Sequence, residues 1–167
     1  MNIHNLILWA TATLTALIAG LFYAWSCSVV PGIGRLSDTH YLTSFQMMNR
    51  AILNPVFFMS FMGTVILLPV CTYMQYSQPV SLRFWLLLTA TILYVVGVFG
   101  VTMFGNVPLN NALDAFNIPA ASPAELAAMR LRLEGPWNSL NTIRTLANIL
   151  SLMLVIAACM IHAEKAS

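Results

Sequence analysis

Charge is what this sequence has least of. Its 167 residues include seven Lys and Arg and five Asp and Glu, 7% of the chain, where a soluble domain carries about 25%. The five positions Arg50, Arg83, Asp114, Arg144 and Glu164, with a small cluster at Glu125, Arg130, Arg132 and Glu134, break the chain into long uncharged stretches. Counting the opening from Met1 to Gly34, these stretches are 34, 32, 30 and 19 residues long. About 20 apolar residues in a helix cross the roughly 30 Å of a bilayer's hydrocarbon. The expected fold is therefore all-α: an integral membrane, multi-pass, four-helix up-and-down bundle forming one domain over residues 1–167. Its main partner is the lipid bilayer, of the cell or, in a bacterium, of the inner membrane. A net charge of +2, thinly scattered, excludes nucleic acid as a partner.

Cysteine and histidine are scarce as well. Cys27, Cys71 and Cys159 form no Cys-x-x-Cys pair and read as buried, unpaired thiols. His4, His40 and His162 lie at the termini or in a loop, so a haem held by two histidines inside the bundle is not expected. No His, Cys and carboxylate set has metal-ligand spacing, and no cofactor is expected. The first stretch has no basic residue before it and exceeds a short signal-peptide core, so it reads as a retained membrane anchor.

The four spans are expected at residues 5–30, 51–76, 82–111 and 137–162, with further helices at 39–53 and 123–133. Pro31-Gly32 closes the first span, and Ser37-Asp38 offers an N-cap for the helix that follows. Asn54-Pro55 kinks or breaks the chain, and Ser77-Gln78-Pro79 turns it into the third span. Ser122-Pro123-Ala124-Glu125 is a capping box with proline at the first helical position. It should start a short amphipathic helix between the third and fourth spans, ended by Gly135-Pro136. In the first span Ala12, Ala16, Gly20, Ala24 and Ser28 recur every four residues. Such a ladder lets another helix approach closely; packing within the molecule is the expected use, association of two copies the other.

The polar residues gather in three places that an up-and-down bundle brings to one end. Gln46, Asn49 and Arg50 precede the second span, Asn106, Asn110 and Asn111 end the third, and Trp137, Asn138, Asn141 and Arg144 open the fourth. Trp137, Asn141, Arg144 and Asn148 form one helical stripe, with Arg144 about 10 Å below the start of its helix. An arginine at that depth costs roughly 2.5 kcal/mol or more unless it finds partners, which leads us to expect a polar pocket inside the bundle. Three uses compete: interhelical contacts, binding of an anionic or carbonyl-bearing ligand, and catalysis. Amides and guanidinium groups are not bases near neutral pH, but they stabilise an enolate, phenolate or peroxide anion. A base would be His40, Asp38, Asp114 or the substrate's own acidity.

Three segments carry a family resemblance. They are Phe45-Gln46-Met47-Met48-Asn49-Arg50, Asn106-Val107-Pro108-Leu109-Asn110, and Trp137-Asn138-Ser139-Leu140-Asn141-Thr142-Ile143-Arg144-Thr145. In these segments, their order and the number of spans, the whole chain resembles the anthrone-oxygenase-like small membrane proteins, most of which are known only as a domain of unknown function. The resemblance implies a four-helix membrane oxidoreductase that converts an anthrone methylene to a quinone with molecular oxygen, without metal or flavin. It further implies that Arg50 and Arg144 stabilise negative charge, that Asn106, Asn110 and Asn141 orient the substrate carbonyl, and that Trp137 stacks on it. Gln46 and Asn49 complete the expected substrate site, with His40 the candidate base. The alternative is a non-enzymatic membrane protein that binds a lipophilic small molecule or another membrane subunit.

Overall fold

A computed structural model describes residues 3–161. It contains helices α1 (Ile3–Ile33), α2 (Asp38–Ile52), α3 (Pro55–Met74), α4 (Leu82–Asp114) and α5 (Pro123–Met160), and no strand among the described residues. Four of them, α1, α3, α4 and α5, are long and apolar enough to cross a membrane. Apolar runs of this length become helices because hydrocarbon offers no partner to a backbone N–H or C=O, so each group must bond within its own segment. The four form a ring, α1 against α3 and α5, and α4 against α3 and α5. Leu8, Ile18, Phe61, Leu68, Leu87, Tyr94, Val98 and Val155 fill its centre. The expected end of the last span near His162, together with Glu164 and Lys165, lies outside the described residues.

Two boundaries differ from those read in the sequence because of proline, at Pro31 and at Pro136. α1 does not stop at Pro31 but runs on to Ile33. A π-turn over Trp25–Val29 precedes the proline, and the Val30 N–H bonds to the carbonyl of Trp25. α4 crosses Pro108, as the expected span did, with a similar arrangement: a π-turn over Thr102–Asn106, with the Val107 N–H on the Thr102 carbonyl, comes just before the proline. A longer π-segment over Leu93–Gly100 lies further back with no proline beside it. Widening the turn by one residue lets the chain absorb a ring that lacks an N–H and crowds the preceding carbonyl. The helix therefore continues through Pro108 to Asp114.

Gly135-Pro136 does not end a short helix either. Residues 123–133 are helical, but they are the first turns of the 38-residue α5. Both Gly135 and Pro136 are exposed, so the hydrogen bond lost at the proline lies on the outer edge. Leu133 and Trp137, on either side, are buried and hold the axis in line. The Ser139 hydroxyl also bonds to the Gly135 carbonyl at 3.0 Å. The capping box forms as expected: the Ser122 N–H donates to Glu125 Oε2 at 2.7 Å and the Glu125 N–H to Ser122 Oγ at 3.4 Å. Asn54 breaks the chain outright and caps α3 by accepting the Phe57 N–H at 3.0 Å.

The small-residue ladder of α1 faces outward. Ala16, Gly20, Ala24 and Ser28 are exposed and only Ala12 packs against the core, which corrects the expectation that the ladder packs within the molecule. α1 turns inward with Thr11, Thr15, Ile18, Ala19 and Phe22 instead. The threonine hydroxyls can face the interior because each donates to the carbonyl one turn back, Thr11 to Ile7 at 2.8 Å and Thr15 to Thr11 at 2.7 Å. All three cysteines are free, but only Cys71 is buried, so the sequence reading is also corrected for Cys27 and Cys159.

α2 and the first three turns of α5 cap one end of the ring. Tyr41, Leu42, Phe45, Leu113, Leu126, Met129 and Leu133 form a second core there. Arg130 ties the cap to the end of α1. Its guanidinium donates to Glu134 at 2.7 Å, Asp38 at 3.0 Å, and the carbonyls of Leu36 and Gly34 at 2.8 Å each. It also lies 4.5 Å over the Tyr41 ring. Burial and the nearby Glu134 carboxylate push the Tyr41 phenol above its ordinary range, so it serves as a neutral ring beneath the cation.

Candidate functional site

Beneath the cap, between the ring helices, lies a cavity of about 130 Å³. The stripe on α5 forms one wall: Trp137, Asn141 and Arg144 line it and are 4%, 1% and 5% exposed. Helical periodicity brings them together, since residues at i, i+4 and i+7 share a face. α1 contributes Leu21, Phe22 and Trp25, and α4 contributes Thr102, Met103, Val107 and Asn110. Asn49, Ile52 and Leu53 close it from α2, and Phe57, Phe58 and Phe61 from α3.

Arg144 dominates the site's electrostatics. Its Nη1 donates to Thr102 Oγ1 at 3.2 Å and its Nη2 to Asn141 Oδ1 at 2.9 Å, while Nε has no partner. Among the described residues no carboxylate pairs with it; the ion pairs are Arg50–Asp114, Arg130–Asp38 and Arg130–Glu134. The guanidinium carbon sits 4.4 Å over the Phe22 ring and 5.3 Å over Trp137. Aromatic faces of this kind ease the burial of a cation without neutralising it. A guanidinium has five N–H donors; two are engaged here, so the site holds a net positive charge with donors to spare.

A relay of hydrogen bonds holds that cation in place. Asn141 Nδ2 donates to Ser26 Oγ at 2.9 Å, and Ser26 Oγ lies 3.0 Å from Thr145 Oγ1. Ser26 belongs to the π-turn of α1 and Thr102 to that of α4, so both proline-linked distortions deliver a group to the Arg144 network. Above it, Trp137 Nε1 donates to Asn110 Oδ1 at 2.8 Å, which orients the indole. Trp25, Phe45 and Trp137 meet with ring centroids 4.9 to 5.6 Å apart, roofing the cavity against the cap.

The other residues singled out in the sequence lie elsewhere. Arg50 is exposed and forms a 2.6 Å ion pair with Asp114. Gln46 caps the end of α4, its Nε2 donating to the carbonyls of Leu113 at 2.9 Å and Phe116 at 3.3 Å. His40 is exposed and its Nδ1 lies 3.0 Å from Ser37 Oγ. Asn106 is fully buried beside the cavity, with Nδ2 3.5 Å from the Trp137 carbonyl and Oδ1 unpartnered. Asn49 does reach the wall, and its Nδ2 is buried without a partner. Sequence reasoning missed Phe22, Trp25, Ser26 and Thr102; the one available cue was the proline downstream, Pro31 for the three residues of α1 and Pro108 for Thr102. Among the described residues no group of three or more His, Cys, Asp or Glu side chains converges on a metal-sized point.

No curated protein and no solved structure matches the chain. A family model described as Anthrone oxygenase matches residues 56–154, taking in α3, α4 and most of α5. It thus includes Asn106, Asn110, Trp137, Asn141 and Arg144, while the walls from α1 and α2 fall outside it. The match covers more than half of the chain, and the chain belongs to the anthrone oxygenase family.

Proposed function

We propose that this chain is a multi-pass membrane enzyme that oxidises an anthrone-like aromatic substrate to a quinone with molecular oxygen, without metal or flavin. One observation carries the proposal: Arg144 is buried, lines an otherwise largely apolar cavity, and has no acidic partner among the described residues. A preorganised cation in a water-poor site favours a bound acid in its ionised form. An activated methylene, C–H acidic because its carbanion spreads into the aromatic system, would then lose its proton to solvent water, since no His, Asp or Glu lines the cavity. The carbanion gives an electron to O2 and the radical pair joins as a C–O bond. After the peroxide regains a proton, loss of water leaves the new carbonyl. The balance is CH2 plus O2 to C=O plus H2O. In this scheme Arg144 holds the oxyanion, Asn141 and Thr102 hold Arg144, and Trp137 and Trp25 lie against the ring.

Oxygen uptake and quinone absorbance would be followed with emodin anthrone and protein in lipid nanodiscs. The expected result is turnover that survives chelation and drops by about 10²–10³ in Arg144→Gln, the loss typical of removing an oxyanion partner. Equal rates for wild type, variant and empty nanodiscs would sink the proposal. A second reading, binding of a lipophilic ligand without turnover, draws on the absence of any His, Asp or Glu among the residues lining the cavity. It predicts stabilisation by the ligand with no oxygen consumed.

A further inference from the structure

Close contacts wall the cavity on every side but one. The rings of Trp25, Phe45 and Trp137 close the roof. At the floor the Tyr94 hydroxyl donates to the Phe61 carbonyl at 3.1 Å. Ser26 Oγ and Thr145 Oγ1, 3.0 Å apart, join α1 to α5. Two glycines bring the other neighbours together. A Cβ on Gly105 would stand 2.9 Å from Leu140 Cδ1, between α4 and α5, and one on Gly63 would stand 2.7 Å from Leu14 Cδ1, between α3 and α1. α3 and α4 lack such a closure beside the cavity. α3 lies against residues 82–92 of α4 and has few contacts with the rest of that helix.

The open side faces hydrocarbon. Among the residues lining the cavity, the exposed ones are Leu53, Phe58 and Met103, at 65%, 44% and 42%. All three are apolar, and they come from the two edges of the gap: the α2–α3 corner with the first turn of α3, and α4. The exposed Arg50–Asp114 pair marks the water level at this end, and Met103 lies about 16 Å further along α4. Leu53 and Asn54 leave helical geometry, with φ and ψ of −77° and 65°, and −129° and 160°. The cap end of α3 can therefore shift without bending a helix.

We propose that the anthrone-like substrate enters sideways from the bilayer through this gap, and that Met103, with Phe58 opposite, is the portal that sets its rate of entry. This rests on the enzymatic reading above and names the route to the same site. The enclosed space of about 130 Å³ is below the roughly 300–1,000 Å³ of ordinary ligand pockets. A fused three-ring substrate therefore extends into the gap, the one direction in which the walls are free to give. Methionine suits the position, because its unbranched, flexible side chain swings aside at low cost. An apolar substrate also concentrates in hydrocarbon, so this route spares it passage through the cap and its ion pairs.

The test follows emodin, the quinone of emodin anthrone, by its quenching of tryptophan fluorescence in nanodiscs, with rates from stopped flow. Met103→Phe, which places a stiff ring in the gap, should slow association and release together, each by about tenfold, and leave Kd within about threefold. Met103→Ala should speed both, and it keeps the test open if Met103→Phe lowers the thermal midpoint. Rates that move together at constant Kd mark a barrier on the path, which a residue that only touches the bound ligand would not give. Faster release alone, with a weaker Kd, would make Met103 a wall contact and overturn the portal. Unchanged rates in both variants, or no quenching in the wild type, would overturn it as well. Turnover of emodin anthrone by the wild type reads the enzymatic proposal separately. Its absence, with emodin rates moving as expected, would remove the oxygenase reading and leave the route standing.

Discussion

Arg144 and Arg50 look alike in the sequence, each a lone cation beside a membrane span with amides nearby, yet the structure separates them. Arg50 pairs with Asp114 in solvent, at side-chain exposures of 59% and 53%, and such pairs contribute at most about 1 kcal/mol. Arg144 is buried without an acid, and its two hydrogen bonds and two ring faces offset only part of the roughly 2.5 kcal/mol that an unpartnered arginine costs in a bilayer interior. We therefore expect Arg144→Met to raise or preserve the thermal midpoint while abolishing quinone formation from emodin anthrone. Arg50→Ala should lower stability by less than about 1 kcal/mol and leave turnover unchanged. Thermal melts and the oxygen-uptake assay on both variants check this, and a large loss of stability in Arg144→Met would mean the arginine holds helices together instead. The sequence could not make the distinction because it turns on which stripe of α2 faces inward. Tyr41, Phe45 and Asn49, four residues apart, share the buried side, whereas Gln46 and Arg50 fall on the neighbouring stripe, beside the end of α4.

The π-turns are the features of the helices that sequence rules misread. Proline inside a helix costs about 3 kcal/mol against alanine in water, which is why Pro31 and Pro136 read as ends. In the bilayer the alternative is worse, since a broken helix would expose several unpaired backbone groups, and the chain adopts a wider turn or gives up one bond at the edge. The distortion next to Pro108 carries Thr102, which receives a hydrogen bond from Arg144. Pro108→Ala should let residues 102–106 of α4 return toward regular α-geometry. We expect an unchanged or higher thermal midpoint together with slower emodin anthrone turnover, as Thr102 shifts away from the guanidinium. Parallel changes in stability and turnover would show that the turn has no special part in positioning Arg144.

For the molecule as a whole, the cap and the ring are joined at several points, among them Phe45 between Trp25 and Trp137 and Gln46 on the end of α4. Continuity of α5 across Gly135-Pro136 connects the cap directly to the stripe of Trp137, Asn141 and Arg144. Arg130 adds a polar link, to Gly34, Leu36 and Asp38 beyond the end of α1. Removing it leaves carbonyls and carboxylates without their donor, so Arg130→Met should cost about 1–3 kcal/mol. The loss should appear as faster backbone hydrogen exchange over residues 34–42, with α3 and the first half of α4 unaffected. Uniformly faster exchange throughout the chain would instead mean that the cap and ring unfold as one unit.

By itself the sequence determined the four spans, because the spacing of charge is set by the thickness of hydrocarbon and needs no knowledge of neighbours. It determined the stripe on α5 for a similar reason: helical periodicity alone aligns Trp137, Asn141 and Arg144. Tertiary packing alone settled that α1 continues past Pro31 and α5 through Pro136, that the alanine ladder faces outward, and that Ser26 and Thr102 join Arg144. Those outcomes depend on which surfaces of separate helices meet. That choice is a competition among whole faces, in which no short segment of sequence carries the deciding energy.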